Sequence, residues 1–150
     1  MPIKRYDKTP MPQRHSEERA RDFIEVNEGY TMARAVFEAE RCLRCQDPVC
    51  IEGCPVNIPI PDFMHAIVVE NMPEAARLLR GANPLPAICG RVCPQESQCE
   101  LKCHMARRLL PVAIGHLERF VADWERSQPP PLPQRPSRVQ KVAVIGSGPA

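Results

Sequence analysis

Between Cys42 and Cys54 the chain places four thiols in thirteen residues, Cys42-Leu-Arg-Cys45-Gln-Asp-Pro-Val-Cys50-Ile-Glu-Gly-Cys54, with Pro55 directly after the last. Thiols this dense converge on one small volume only if something binds them there. Their spacing, two then four then three intervening residues and a Cys-Pro ending, lies close to the C-x2-C-x2-C-x3-C-P run whose thiolates hold an iron–sulfur cluster. Structural zinc is the chief rival, because C-x2-C pairs serve it equally well. The third and fourth thiols, set immediately beside the first pair, and the Cys-Pro ending favour the cluster. Eight cysteines could also form four disulfides, but no secretory signal is recognisable and the periodic stretches are helical, unlike a loop-rich stapled scaffold.

A second run follows, Cys89-Gly-Arg-Val-Cys93-Pro94-Gln-Glu-Ser-Gln-Cys99-Glu-Leu-Lys-Cys103, again with four thiols and one Cys-Pro. In two-cluster bacterial ferredoxins the cysteine before proline ligates the other cluster, and a similar exchange here would interlock the two runs. Residue count alone gives two clusters with four thiols each. Arg41, Arg44, Arg91 and Lys102 adjoin these cysteines and could offset thiolate charge, although solvated residues would look the same. His15, His65, His104 and His116 read as surface or packing residues.

The elements that must position these groups are helical. Ser16 can cap a first helix with Glu17 and Glu18 in its first turn, a face of Ala20, Phe23, Ile24 and Asn27, and a stop at Gly29. Thr31 caps a second, whose Met32, Ala35, Val36 and Ala39 share one face and which delivers Cys42. Alternate prolines over residues 55–61 forbid helix until Pro61 opens a third, with Phe63, Met64, Ile67 and Val68 buried. Asn71 to Pro73 breaks it, and a fourth helix runs from Glu74 to Arg80 with Gly81 after its end. A last helix spans residues 112–125, with Ile114, Leu117, Val121 and Trp124 as its stripe and Arg119 and Asp123 facing away. Glu118 lies at the edge of that stripe, where a carboxylate is costly unless paired or bound to metal. A rim glutamate that reaches solvent is the plainer account of the same position.

A length of 150 residues suits one domain with a modest core, and aromatic content of 5% makes that core poor in large side chains. Bound clusters could supply part of the missing cohesion. A net charge of +2 gives no field for nucleic acid. No apolar run approaches the roughly 20 residues of a membrane helix. Free thiols fit reducing cytoplasm. The helical domain is expected over residues 1–126, opening with an extended arm over residues 1–14. Five prolines within residues 127–138 make a semi-rigid linker. Residues 139–150 then read as a buried strand followed by Gly146-Ser-Gly148-Pro149-Ala150, the opening of a phosphate-binding turn of a dinucleotide domain.

The segments Glu25-Val-Asn-Glu-Gly-Tyr30, Glu38-Ala-Glu-Arg-Cys-Leu-Arg-Cys45, Gly53-Cys-Pro-Val-Asn-Ile-Pro59, Leu85-Pro-Ala-Ile-Cys-Gly-Arg-Val-Cys-Pro94, Cys99-Glu-Leu-Lys-Cys103 and Ile114-Gly-His-Leu-Glu-Arg-Phe120 cover nearly the whole chain. In them it resembles the N-terminal region of the small, or beta, subunit of glutamate synthase and its relatives, the large subunit of NADH-dependent ferredoxin:NADP oxidoreductase and the front of dihydropyrimidine dehydrogenase. The resemblance implies an all-α, helical ferredoxin-like domain with two 4Fe-4S clusters, followed by FAD-binding and NAD(P)-binding domains. Electrons from NAD(P)H would pass through FAD and the clusters to a catalytic partner subunit or a ferredoxin-type acceptor. It further implies Cys42, Cys45, Cys50 and Cys103 as ligands of one cluster and Cys54, Cys93, Cys99 and Glu118 as those of the other. Cys89 matches a cysteine that is not a ligand, so the four-plus-four division changes and Glu118 becomes the missing donor. Gly146, Gly148, Pro149 and Ala150 would begin the FAD site. This stretch would then be an electron-transfer module of a flavoprotein oxidoreductase, without a catalytic centre of its own; a zinc-stapled interaction domain is the rival class.

Overall fold

Prolines and clustered cysteines leave only short stretches free to be helical, and a computed structural model, which describes residues 7–129 and the isolated positions 143, 145 and 146, contains seven of them. They are α1 (Ser16–Arg19), α2 (Met32–Ala39), α3 (Val49–Glu52), α4 (Ile60–Val68), α5 (Met72–Ala82), α6 (Pro86–Val92) and α7 (Ile114–Arg126), with single 3-10 turns at Gln95–Ser97 and His104–Arg107. Among the described residues there is no strand, only an isolated antiparallel bridge between Gln13 and Asn27.

Local chemistry accounts for most boundaries. The Thr31 hydroxyl accepts from the Arg34 N–H at 3.4 Å and starts α2 as expected. Pro61 occupies the first turn of α4, where its missing N–H costs no helical bond. Asn71 stands in the break between α4 and α5 and caps α5, its side chain accepting from the Glu74 N–H at 3.3 Å. Gly81 does not end that helix either. A Cβ there would meet nothing, the helix runs on to Ala82, and it stops at Asn83, whose extended backbone is fixed by its side-chain partners. Pro86 opens α6, a helix hidden from the sequence by the Asn-Pro-Leu-Pro stretch before it.

The first expected helix is the largest departure. It survives as the single turn of α1, capped at His15 rather than Ser16 and burying nothing. Arg14 grips Asp22 through both guanidinium nitrogens at 2.7 Å, and the Asp22 carboxylate accepts from the Ile24 N–H at 2.9 Å, so the chain turns. It then returns alongside itself, Arg14 N–H to the Val26 carbonyl and Glu28 N–H to the Pro12 carbonyl. Phe23 and Ile24 are left exposed at the tip.

Helix α4 packs on α5 and α2, α7 on α5 and α2, and α6 lies along α7. The sealed centre is Phe63, Met64 and Ile67 of α4, Leu79 of α5, and Leu117 and Val121 of α7, with small alanines from α2 and α5 between them. Two polar knots tie loops to it. Glu38, with no exposed surface, accepts from the N–H groups of Thr9 at 2.7 Å and Ala113 at 2.8 Å and pairs with Arg41 at 2.6 Å. Arg41 in turn donates to the carbonyls of Leu110 and Pro111. The other knot joins Arg91 of α6 and Arg119 of α7 to Glu25 and Asp123. Arg119, expected to face away, is only 5% exposed because residues 25–27 fold over it and the Asn27 carbonyl accepts from its guanidinium at 2.7 Å.

No helix is long and apolar enough to cross a membrane among the described residues. The proline-rich linker from residue 130 onward, the expected strand apart from positions 143 and 145, and Gly148, Pro149 and Ala150 of the expected turn lie outside the described residues. Gly146 is described, with φ at 111° in the region open to glycine.

Candidate metal centre

Helix α2 ends at Ala39, and its carbonyl accepts from the Cys42 N–H at 3.0 Å, so the first thiol stands one turn beyond a rigid element. Arg44 takes a φ of 48°, a left-handed conformation that costs a non-glycine residue about 1 kcal/mol and reverses the chain between Cys42 and Cys45. Pro48 then starts α3, which carries Cys50, and a turn bond from Cys54 N–H to the Ile51 carbonyl sets the fourth thiol beyond it.

Cys42, Cys45 and Cys50 line one cavity, and the thiol that joins them comes from the second run, Cys103. His104, Ile60, Met64, Val112 and Ile114 are among its other wall residues, around about 400 Å³ of space, part of it open to solvent. Burial pushes the Cys50 thiol up to about 12, and Cys103, Cys42 and Cys45 push it the same way. Burial also raises Cys42, with Cys103 and Cys45 adding to the effect and the Arg44 backbone N–H opposing it. The Nε2 nitrogen of His104 is buried at this site with no hydrogen-bond partner.

The remaining cysteines gather elsewhere. Cys93 is raised to about 11 by burial, then by Cys89, Glu118 and Cys54. Cys99, the one buried cysteine, is raised to about 12 by burial, then by Glu100, Cys54 and Glu118. Two glycines permit this gathering. A Cβ on Gly53 would lie 2.8 Å from the Gln98 carbonyl oxygen and 3.0 Å from the Cys99 Cα, so only glycine lets Cys54 come this close to Cys99. A Cβ on Gly90 would lie 2.6 Å from the Arg119 backbone nitrogen, so only glycine lets α6, which carries Cys89 and leads into Cys93, lie against α7 beside Glu118.

Glu118 is 6% exposed, and among the described residues no arginine or lysine pairs with it. Burial lifts its carboxyl to about 7, against the pull of Asn83, whose side-chain nitrogen donates to it at 2.8 Å. A rim glutamate reaching solvent does not describe this side chain. All eight cysteines are free.

Partly buried thiols that would repel one another as thiolates are a poor design for packing and a good one for binding iron, since cationic metal stabilises the thiolates that burial disfavours. Four thiols lining one cavity with an apolar wall are the donor set that 4Fe-4S chemistry uses, and the residues present fit it.

The structure lines one cavity with Cys42, Cys45, Cys50 and Cys103, and elsewhere sets Cys54 and Glu118 within electrostatic reach of both Cys93 and Cys99. Cys89 stands with the second group. Arg41 and Arg91, candidates for offsetting thiolate charge, are engaged by Glu38 and by Glu25 and Asp123. Asn83 and the orphaned His104 nitrogen escaped the sequence reading. No spacing marks Asn83, and His104 looked like any histidine beside a ligand.

The profile of dihydropyrimidine dehydrogenase domain II, 4Fe-4S cluster, matches residues 19–129. The chain is 38% identical over 134 residues to the small chain of NADPH glutamate synthase of Halomonas elongata, covering 88% of this chain and 28% of that protein. It is 36% identical to the same subunit of Escherichia coli, over 93% of this chain and 30% of that protein. To the PreT subunit of the Escherichia coli NAD-dependent dihydropyrimidine dehydrogenase it is 39% identical, over 84% of this chain and 31% of that protein. The chain thus spans about three tenths of the length of these relatives. The matched stretch takes in both cysteine runs, all of α2 to α7 and Glu118, and on it the chain belongs to the family of dihydropyrimidine dehydrogenase domain II 4Fe-4S domains.

Proposed function

We propose that this chain is the electron-transfer module of an NAD(P)H-dependent flavoprotein oxidoreductase of the glutamate synthase small-subunit type, with two 4Fe-4S clusters. One observation carries the reading: the ligand candidates fall into two groups, each drawing on both cysteine runs, rather than one group per run. Clusters bound there would supply one-electron steps between FAD, which accepts hydride from NAD(P)H in the longer protein, and the partner subunit or ferredoxin-type acceptor. Cys42, Cys45, Cys50 and Cys103 would hold one cluster, and Cys54, Cys93, Cys99 and Glu118 the other.

The chain's own residues prepare both positions. Ile60, Met64, Val112 and Ile114 wall the first with apolar surface, and His104 adds a buried nitrogen to that wall. Gly53 and Gly90 set the approach of the backbones that carry the second group. Gly146, at its positive φ, with Gly148, Pro149 and Ala150, would open the turn that takes the FAD pyrophosphate.

Anaerobic purification followed by iron, zinc and acid-labile sulfide analysis tests the reading. Iron and sulfide in equal amounts, enough for two clusters per chain, with a brown colour bleached by dithionite, are expected. Zinc without sulfide in a colourless protein refutes it in favour of a stapled interaction domain.

A further inference from the structure

The polar side of the second group hangs on one amide. Asn83 ends α5 and is 3% exposed. Its Oδ1 accepts from the Leu85 N–H at 2.9 Å and from the Cys89 thiol at 3.8 Å, while its Nδ2 donates to Glu118 Oε1 at 2.8 Å. The partners fix the orientation of the amide, because the Leu85 N–H can only donate and so must face the oxygen. One buried side chain therefore holds both rivals for the same role, in opposite senses.

With Oε1 engaged by an amide N–H, Glu118 is held in place and its other oxygen is left for iron. Cys89, by contrast, is engaged through its S–H, which it must give up to bind metal. Distance does not exclude Cys89, since it and Glu118 both contact the same Asn83 amide. Nor does rigidity, since α6 carries it against α7 at Gly90. What separates Cys89 from the neighbouring ligand candidates is its partner.

We infer that Asn83 selects the fourth donor of the second cluster, presenting the Glu118 carboxylate and withholding the Cys89 thiol. Asn83 is a positioning residue that acts through both. The inference rests on Glu118 being a ligand, and its consequences separate from that reading. When Asn83 is removed, Cys89 takes the iron position, its proton passing to the displaced carboxylate, and the second cluster becomes all-thiolate.

The test uses the iron-loaded protein, with cluster EPR spectra and reduction potentials as readouts. In Asn83→Ala the second cluster's spectrum and potential move toward those of its all-thiolate neighbour, iron content is retained, and the added Cys89→Ser change abolishes the shift. Cys89→Ser alone leaves spectrum and potential as in the wild type. An unshifted second cluster in Asn83→Ala overturns the inference, as does a shift that persists in Asn83→Ala with Cys89→Ser. Should Asn83→Ala not fold, Asn83→Asp keeps an acceptor for Leu85 and Cys89 and sets a carboxylate against Glu118. Loss of iron from the second cluster alone is then expected, and an unaltered second cluster overturns the inference. Glu118→Ala keeps the two readings apart. An unchanged cluster in that variant removes the ligand reading and this inference with it, whereas a changed cluster there beside silent Asn83 variants removes only the inference.

Discussion

Glu38→Ala and Glu74→Ala remove the acidic half of two ion pairs with the same i, i+3 spacing on two helices, yet the structure assigns them very different costs. Glu38 and Arg41 have no exposed side-chain surface, and the carboxylate also holds the N–H groups of Thr9 and Ala113. Truncation breaks a fully buried ion pair, which costs about 3–5 kcal/mol. The two backbone N–H groups would add their own desolvation if water did not enter the space. Glu74 and Arg77 form an equally short pair, at 2.6 Å, but in the open. Solvent and side-chain entropy leave such an exposed pair almost no net stabilisation. For a domain of this size the first loss lowers the melting temperature by roughly 10 °C or more and the second by less than about 2 °C. Circular dichroism melts of the iron-loaded protein at neutral pH measure both. Because Ala113 and the carbonyls at 110 and 111 flank Val112 and Ile114 of the cavity wall, Glu38→Ala should also release iron faster from the first group. Equal shifts in the two variants would refute the argument that burial, not pairing, sets the value of the Glu38 carboxylate.

Glu118→Ala should make the second cluster labile and Glu118→Cys should restore it with an altered potential, while Glu125→Ala, which breaks only the partly exposed pair with Arg80, should do neither; iron counts and cluster spectra decide. Cys93→Ser should strip or distort one cluster where Cys89→Ser keeps both, at a cost of no more than about 0.5–3 kcal/mol, as read from iron content and urea midpoints. Gly90→Ala should lower stability by about 1–3 kcal/mol although alanine is the better helix former, because the new methyl meets the Arg119 backbone; an unchanged or raised urea midpoint would contradict that contact. Burial, then Lys8, lowers the pKa of His116, so the folded state binds fewer protons than the unfolded state, and the stability this group contributes is present above about 6.5 and lost as pH falls below it. The melting temperature should therefore drop more between pH 7.5 and pH 5.5, on the order of one pH unit either side of the histidine range, in the wild type than in His116→Gln.

The chemistry was legible because ligand spacing is local. Four thiols in one short run declare metal wherever they fold, and the stripes of α2, α4 and α7 follow from residues three and four apart. What escaped was decided by partners distant in the chain. Phe23 and Ile24 have the period of a helix face, but nothing packs against them, and the Arg14 grip on Asp22 turns the chain instead. Arg119 faces outward on a wheel drawn for α7 alone and is covered by residues 25–27. Gly81 has the local signature of a helix end, yet Asn83 sets that end through Glu118, 35 residues away. Glu118 itself was ambiguous by periodicity. Only the approach of α6 and Asn83 removes the solvent a rim glutamate would need.

The crossing of the two cysteine runs bears on how such a protein is made. Cys103 stands with Cys42, Cys45 and Cys50, and Cys54 stands with Cys93 and Cys99. A ribosome adding about 5–20 residues per second exposes the first run seconds before the second, and no early stretch contains a finished set of donors. An iron-delivery machine meeting the half-made chain would find three thiols of one set and a single thiol of the other. Were these the ligand sets, the first would be complete once Cys103 had emerged and the second only once Glu118 of α7 had followed. A chain cut short upstream of Cys103 would complete neither.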